Sequence, residues 1–279
     1  MSNLNADITD LVRPYAGSHA VERVTLGIEW KGELTSQVMQ RLSKHLDTLE
    51  HPFPRKLEIH AKELEGDGDN VSMPTPDEID LVGLVLKTSA EEDNDSGFKG
   101  ELAIRDEGLF ITIAKGYENW RTTKALILPL VESILAELVE DVVIIAVGLQ
   151  YVDAFWLHDK VDFERLFNRN NENLPPKVFR SESYWRVEVG FFEPSSGPLN
   201  HLFSTLLISY APPEESDEPE KLTISCLTRS YLEPEDQSPN LPLSLYDHIY
   251  KKNKSLISDL ISSELCELIG LGGKAEAVS

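Results

Sequence analysis

Gly270-Leu271-Gly272-Gly273-Lys274 is rich enough in glycine to suggest a phosphate loop. A phosphate cradle needs the first turn of a following helix, whose free N–H groups point at the anion. This run instead follows a helical stretch, with no helical pattern after it, so it reads as a helix stop. Gly66-Asp67-Gly68-Asp69 places carboxylates where a phosphate would sit. Asp93, Asp95 and Gly97 approach the start of a calcium loop, which requires glycine at its sixth position and glutamate at its twelfth. Counted from Asp93 those positions are Phe98 and Ile104, and counted from Glu91 they are Ser96 and Leu102. Both registers fail, and the acids read as solvated turns.

The seven histidines form no His-x-His or His-x-x-x-His pair, so a zinc signature is missing. His158-Asp159 has no upstream histidine to complete a metal phosphohydrolase pattern, and Asp247-His248 reads as a cap or surface pair. Cys226 falls in a strand pattern and Cys266 in a helical one, 40 residues apart. Neither has a base beside it, and such thiols are most often small core residues. That spacing argues against a disulfide framework or a zinc ribbon. No Gly-x-Ser-x-Gly elbow occurs. The sequence therefore assigns no catalytic, cofactor-binding or metal-binding residue, and no cofactor is expected. An enzyme would have to draw on dispersed groups, for which Arg180, Tyr184, Arg186, Glu188 and His201 are the candidates. Tyr151, Phe155, Trp156, Tyr184, Trp185, Phe191 and Phe192 fall in two strand patterns and read as core; Trp156 and Trp185 could instead rim a cleft.

The elements that would hold these residues follow from periodicity. Val24, Leu26, Ile28 and Trp30 share one face of a strand over Val21–Trp30. Leu34, Val38, Leu42, Leu46 and Leu49 recur at helical spacing and predict a helix over Leu34–Leu49, ended by Pro52 and Pro54. Strands are expected at Leu57–Ala61 and Leu81–Leu86, with a hairpin from Leu102–Ile104 and Leu109–Ile113. A helix follows over Trp120–Glu140, with Pro129 predicting a kink or a late start. Val142–Leu157 is a long strand with a bend expected at Gly148, and Val161–Phe167 is a short helix. Strands Ser183–Phe192, Leu202–Tyr210 and Leu222–Tyr231 come next. One last helix begins at Pro242, carries a stripe of Ile249, Leu256, Leu260 and Leu268, and ends at Gly270, Gly272 and Gly273. The expected fold is α+β, with antiparallel sheets covered by helices on one face. The order predicts two tandem β-α-β-β-β-α halves, residues 1–139 and 140–279.

Four segments carry a family resemblance. They are the opening strand and helix over Val24–Leu49, the helix entry Gly116-Tyr117-Glu118-Asn119-Trp120, the strand Val147–Phe155 and the closing Leu245-Tyr246-Asp247-His248-Ile249. Together they resemble a sporadically distributed, uncharacterised bacterial family of about this length. That family's middle strand has an Arg-Tyr-Ile-Asn-Arg pattern. Here Gln150, Tyr151, Val152, Asp153 and Ala154 stand in those places, without either arginine. The resemblance implies no activity. Its sporadic occurrence suggests, by analogy alone, an accessory bacterial system such as phage defence or toxin control.

Composition narrows the function classes. The 279 residues hold 26 Lys+Arg against 48 Asp+Glu, a net charge of −22. Residues 1–139 and 140–279 each carry −11, so no acidic tail explains the charge. Such a chain is expected not to bind nucleic acid directly, because that binding relies on cations neutralising phosphates. Anionic membrane surfaces are disfavoured for the same reason. The apolar runs Ala125–Val131 and Val142–Leu149 fall far short of the ~20 residues that span a bilayer. Met1–Ala16 lacks a basic and then apolar leader, so a cytoplasmic location is expected. The reading favours a non-catalytic binding or regulatory protein acting through a protein partner, a basic one by charge. An enzyme with dispersed residues and a nucleic-acid mimic are the alternatives. Oligomeric state is not legible.

Overall fold

A computed structural model describes residues 7–61, 80–88, 98–158, 162–181, 183–193, 201–211, 219–233 and 241–271. The expectations for Gly66-Asp67-Gly68-Asp69, for Glu91, Asp93, Asp95, Ser96 and Gly97, for Asp159 and for Gly272-Gly273-Lys274 lie outside the described residues.

The fold is α+β, with ten antiparallel strands and six helices among the described residues. In chain order these are α1 (Ile8–Leu11), β1 (Val12–Pro14), β2 (Val21–Lys31), α2 (Ser36–Leu46), β3 (Arg55–Ala61), β4 (Asp80–Lys87), β5 (Lys99–Arg105), β6 (Gly108–Lys115) and α3 (Trp120–Leu138). Then come β7 (Val143–Leu157), α4 (Phe163–Leu166), β8 (Trp185–Glu193), β9 (Leu202–Ala211), β10 (Glu220–Tyr231), α5 (Leu241–Leu260) and α6 (Ser263–Leu268). From β2 to α3 the order is β-α-β-β-β-β-α, matching the individual strands expected but one strand more than the β-α-β-β-β-α pattern of the halves. From β7 to α5 it is β-α-β-β-β-α. Among the described residues no helix is long and apolar enough to cross a membrane.

The chain divides into two compact units. The first comprises residues 1–24, 148–230 and 245–279; the second comprises 25–147 and 231–244.

In the second unit the strand order is β3-β4-β5-β6-β2, a meander whose last strand returns to the opening one. The alternation in β2 holds: Val24, Leu26, Ile28 and Trp30 are buried. α2 is shorter than its apolar spacing suggested. Thr35 caps it, its Oγ1 accepting the Val38 N–H, so Leu34 is buried ahead of the helix. Lys56 and Glu58 of β3 both reach Ser43 of α2, while Leu57 and Ile59 alternate to the other face and are exposed. α3 begins at Trp120 under an Asn119 cap, whose Oδ1 accepts the Thr122 N–H at 2.9 Å. Pro129 therefore does not delay its start.

In the first unit β7 is followed in the sheet by β10, β9 and β8, and β1 pairs with the end of β7, Val12 opposite Leu157 and Pro14 opposite Phe155. Ile257 and Leu260 of α5 bury against Leu206 and Ile208 of β9 and Leu222, Ile224 and Cys226 of β10. The closing helix departs from expectation. It breaks at Ile261, which pairs with Phe167 in an isolated bridge, and restarts as α6 when the Ser262 Oγ accepts the Leu265 N–H. Leu268 thus belongs to α6, and Gly270, at φ +73°, closes that helix in the left-handed conformation glycine tolerates.

Candidate functional site

In the first unit the segment after α4 carries Asn168, Asn170, Asn171 and Asn173. Asparagine side chains mimic backbone turns, and two of these do so: Asn168 Oδ1 accepts the Asn170 N–H at 3.1 Å, and Asn171 Oδ1 accepts the Asn173 N–H at 2.9 Å. The amides of Asn168 and Asn171 both donate to the Asp259 carbonyl at 3.1 Å, and the Asn168 N–H donates to the Leu260 carbonyl at 2.9 Å. The last carbonyls of a helix have no partner within it. This turn supplies partners for two of them and so fixes itself to the end of α5.

A cleft of about 530 Å3 opens between that turn, β8 and α5. Val189, Phe191 and Leu256 give it apolar walls, and Glu172 and Asp259 give it acid groups. At its base Lys252 pairs with Glu193. Behind the pair the polar chain continues inward. Ser204 Oγ donates to Glu193 Oε1 at 3.4 Å and lies 3.0 Å from Thr228 Oγ1.

Beneath α5 the polar groups continue. Asn253 is 1% exposed; its amide donates to the Leu149 carbonyl at 2.8 Å, and its Oδ1 accepts the Cys226 thiol at 3.2 Å. Asp153 of β7 is also buried, with no hydrogen bond to its carboxyl among the described residues. Burial alone raises its pKa from an ordinary 3.8 to about 7. Cys226 is pushed up to about 12, first by burial, then by Asp153 and Glu193, with Lys252 pulling the other way. Tyr246 is raised by burial as well. A thiol held protonated is a poor nucleophile, and the Asn253 bonds tie α5 to β7 and β10.

The sequence candidates for an enzyme do not converge. Arg186 and Glu188 lie on the exposed face of β8, where Arg186 Nη2 donates to Glu188 Oε2 at 3.0 Å. The Tyr184 hydroxyl donates to Glu220 at 3.3 Å, and Tyr210 also donates to that carboxylate. Arg180 ends a 3-10 turn over Val178–Arg180. His201 precedes β9 at φ +49°. None of these residues lines the cleft. Neither do they line a second, more open one of about 650 Å3, which lies beside Arg169, Ser258, Ser262 and Cys266. Trp185 packs edge-on against Phe163, ring centroids 5.3 Å apart, and Trp156 carries Lys221 over its ring at 5.4 Å. Neither tryptophan rims either cleft. Among the described residues no group of three His, Cys, Asp or Glu could hold a metal ion. Both cysteines are free and buried.

Cys226 is expected to resist thiol reagents in the native protein at pH 8 and to react at least ~100-fold faster once urea exposes it. Native labelling of Cys226 at the unfolded rate would contradict its placement.

Asp153, Asn253 and the asparagine turn were missed by sequence reasoning, although each left a signal. Asp153 interrupts an apolar strand. Asn253 lies on the stripe marked by Ile249, Leu256 and Leu260. The four asparagines cluster within six residues. No family model matches the chain, and no curated protein matches it.

Proposed function

We propose that the chain is a non-catalytic binding protein acting through a basic protein partner. The observation that carries this reading is the division of chemistry in the first unit. Asp153, Cys226 and Tyr246, displaced by burial, are sealed between α5 and the sheet, and Tyr184 and Tyr210, raised by burial and by Glu220, lie outside the cleft, which joins apolar walls to the acids Glu172 and Asp259. A net charge of −22 favours encounter with a positively charged protein. An active site would instead bring displaced titratable groups to an accessible cavity.

The reading places the protein in the cytoplasm, in keeping with its two free thiols. It also retains the likeness to an uncharacterised bacterial family and a role in an accessory system. It includes a duplication, with residues 1–139 and 140–279 as related halves. Supporting that, Val24-Thr25-Leu26-Gly27-Ile28-Glu29-Trp30 of β2 matches Ile145-Ala146-Val147-Gly148-Leu149-Gln150-Tyr151 of β7 in residue character at six of seven positions, Thr25 against Ala146 being the exception. In both halves the meander also returns to its opening strand.

The test is cross-linking of the tagged full chain in its native cells, read by mass spectrometry. The expected result is a specific basic protein, lost when cells are lysed into high salt before cross-linking. Recovery of no protein above an untagged control would oppose the reading.

A further inference from the structure

We propose that β8 is a docking edge that takes an extended segment of the partner as an added strand. This rests on the reading of the chain as a partner-binding protein. β8 runs nine residues, against the ~5–6 usual for a strand. Its register on β9 is unbroken, from Trp185 opposite Tyr210 to Glu193 opposite Leu202. It holds neither a proline nor a bulge, two devices that ordinarily blunt a free edge. A third device is an inward-pointing charge. Glu193 would be one, but Lys252 neutralises it, and the outer-face charges Arg186 and Glu188 are paired with each other. Among the described residues no strand pairs with the other edge of β8. An edge of this kind offers its main-chain donors and acceptors to an incoming strand.

Side chains on both faces define what fits. Phe192 is 74% exposed, its ring 4.8 Å from that of Phe203 on β9. On the other face Val189 and Phe191 meet Leu256 in the cleft, beside Glu172 and Asp259. A strand laid along β8 presents its side chains alternately to these two faces. The complementary segment therefore alternates apolar residues, which meet Phe192 on one face, with basic ones on the other, whose stems lie along Val189 and Phe191 and whose cations meet Glu172 and Asp259.

The experiment uses the full chain and a short peptide of alternating lysine and valine. One control peptide replaces lysine with glutamate; another carries N-methyl groups on alternate amides. Affinity is measured by titration, and amide hydrogen exchange locates the site. The expected result is at least ~10-fold slower exchange along β8. Charge reversal and N-methylation should each weaken binding at least ~10-fold, and Phe192→Ser several-fold. Binding indifferent to N-methylation, or protection away from β8, would overturn strand addition and leave the partner-binding reading standing. Failure of the lysine–valine peptide to bind, or a dimer of the chain formed through β8, would overturn strand addition as well. Failure of both the peptide and the cellular cross-linking would remove both.

Discussion

Asp153→Asn is expected to stabilise the protein at pH 8 by ~4 kcal/mol, the worth of holding the native carboxyl at about 7 rather than 3.8. The sign follows from proton linkage. Between those two values the folded state keeps a proton that the unfolded state has released. Stability therefore falls as pH rises through that window and levels off above it. The asparagine side chain is close in shape to the protonated acid and has no such dependence. The difference between variant and parent should be near zero at about pH 3 and grow through about pH 5 to 7. Taking the difference removes the rest of the chain's acidity, which relaxes on protonation in both proteins. Urea unfolding of both proteins across this range is the measurement. A difference that stays constant with pH would place Asp153 in water or beside a hydrogen-bond donor.

Asn253→Leu is expected to destabilise the protein by ~3 kcal/mol. The substitution keeps the branched heavy-atom skeleton but leaves the Leu149 carbonyl and the Cys226 thiol buried without their partner. Each orphaned polar group is worth ~1–3 kcal/mol, the thiol at the low end because it is a weak donor. Cys226→Ala should lose less, because the Asn253–Leu149 bond remains. If the two positions act through their hydrogen bond, the double variant should fall short of the sum of the single losses. Urea unfolding of the three variants decides it. A loss below ~1 kcal/mol for Asn253→Leu would mean that α5 is held by its apolar stripe alone.

How much of this was legible in the sequence depended on the physics behind each feature. Strand alternation is local, so β2, β9 and β10 were found nearly to the residue. Helix ends depend on caps, which explains why α2 came out shorter than Leu34–Leu49 once Thr35 was seen to cap it. The break between α5 and α6 was not legible. Ile261 continues an apolar pattern, and the bridge that marks the break pairs it with Phe167, which is distant in sequence. The polar cluster was hidden for the same reason. Asp153, Cys226 and Asn253 come from three elements, and no spacing rule joins them. The asparagine turn was missed although its four asparagines cluster, and its attachment to α5 had no signal, since its acceptors lie some 90 positions later. The enzyme candidates Arg186 and Glu188 were rightly placed on a strand, yet alternation alone could not show that their face is open to solvent.

The central claim is recognition of a basic protein through an acidic surface. Its most direct test is the association rate of the full chain with the partner recovered by cross-linking, followed from low to high ionic strength. Electrostatic steering predicts a rate that falls at least ~10-fold as salt screens the −22 charge, with a smaller change in dissociation. An association rate independent of salt would contradict the account.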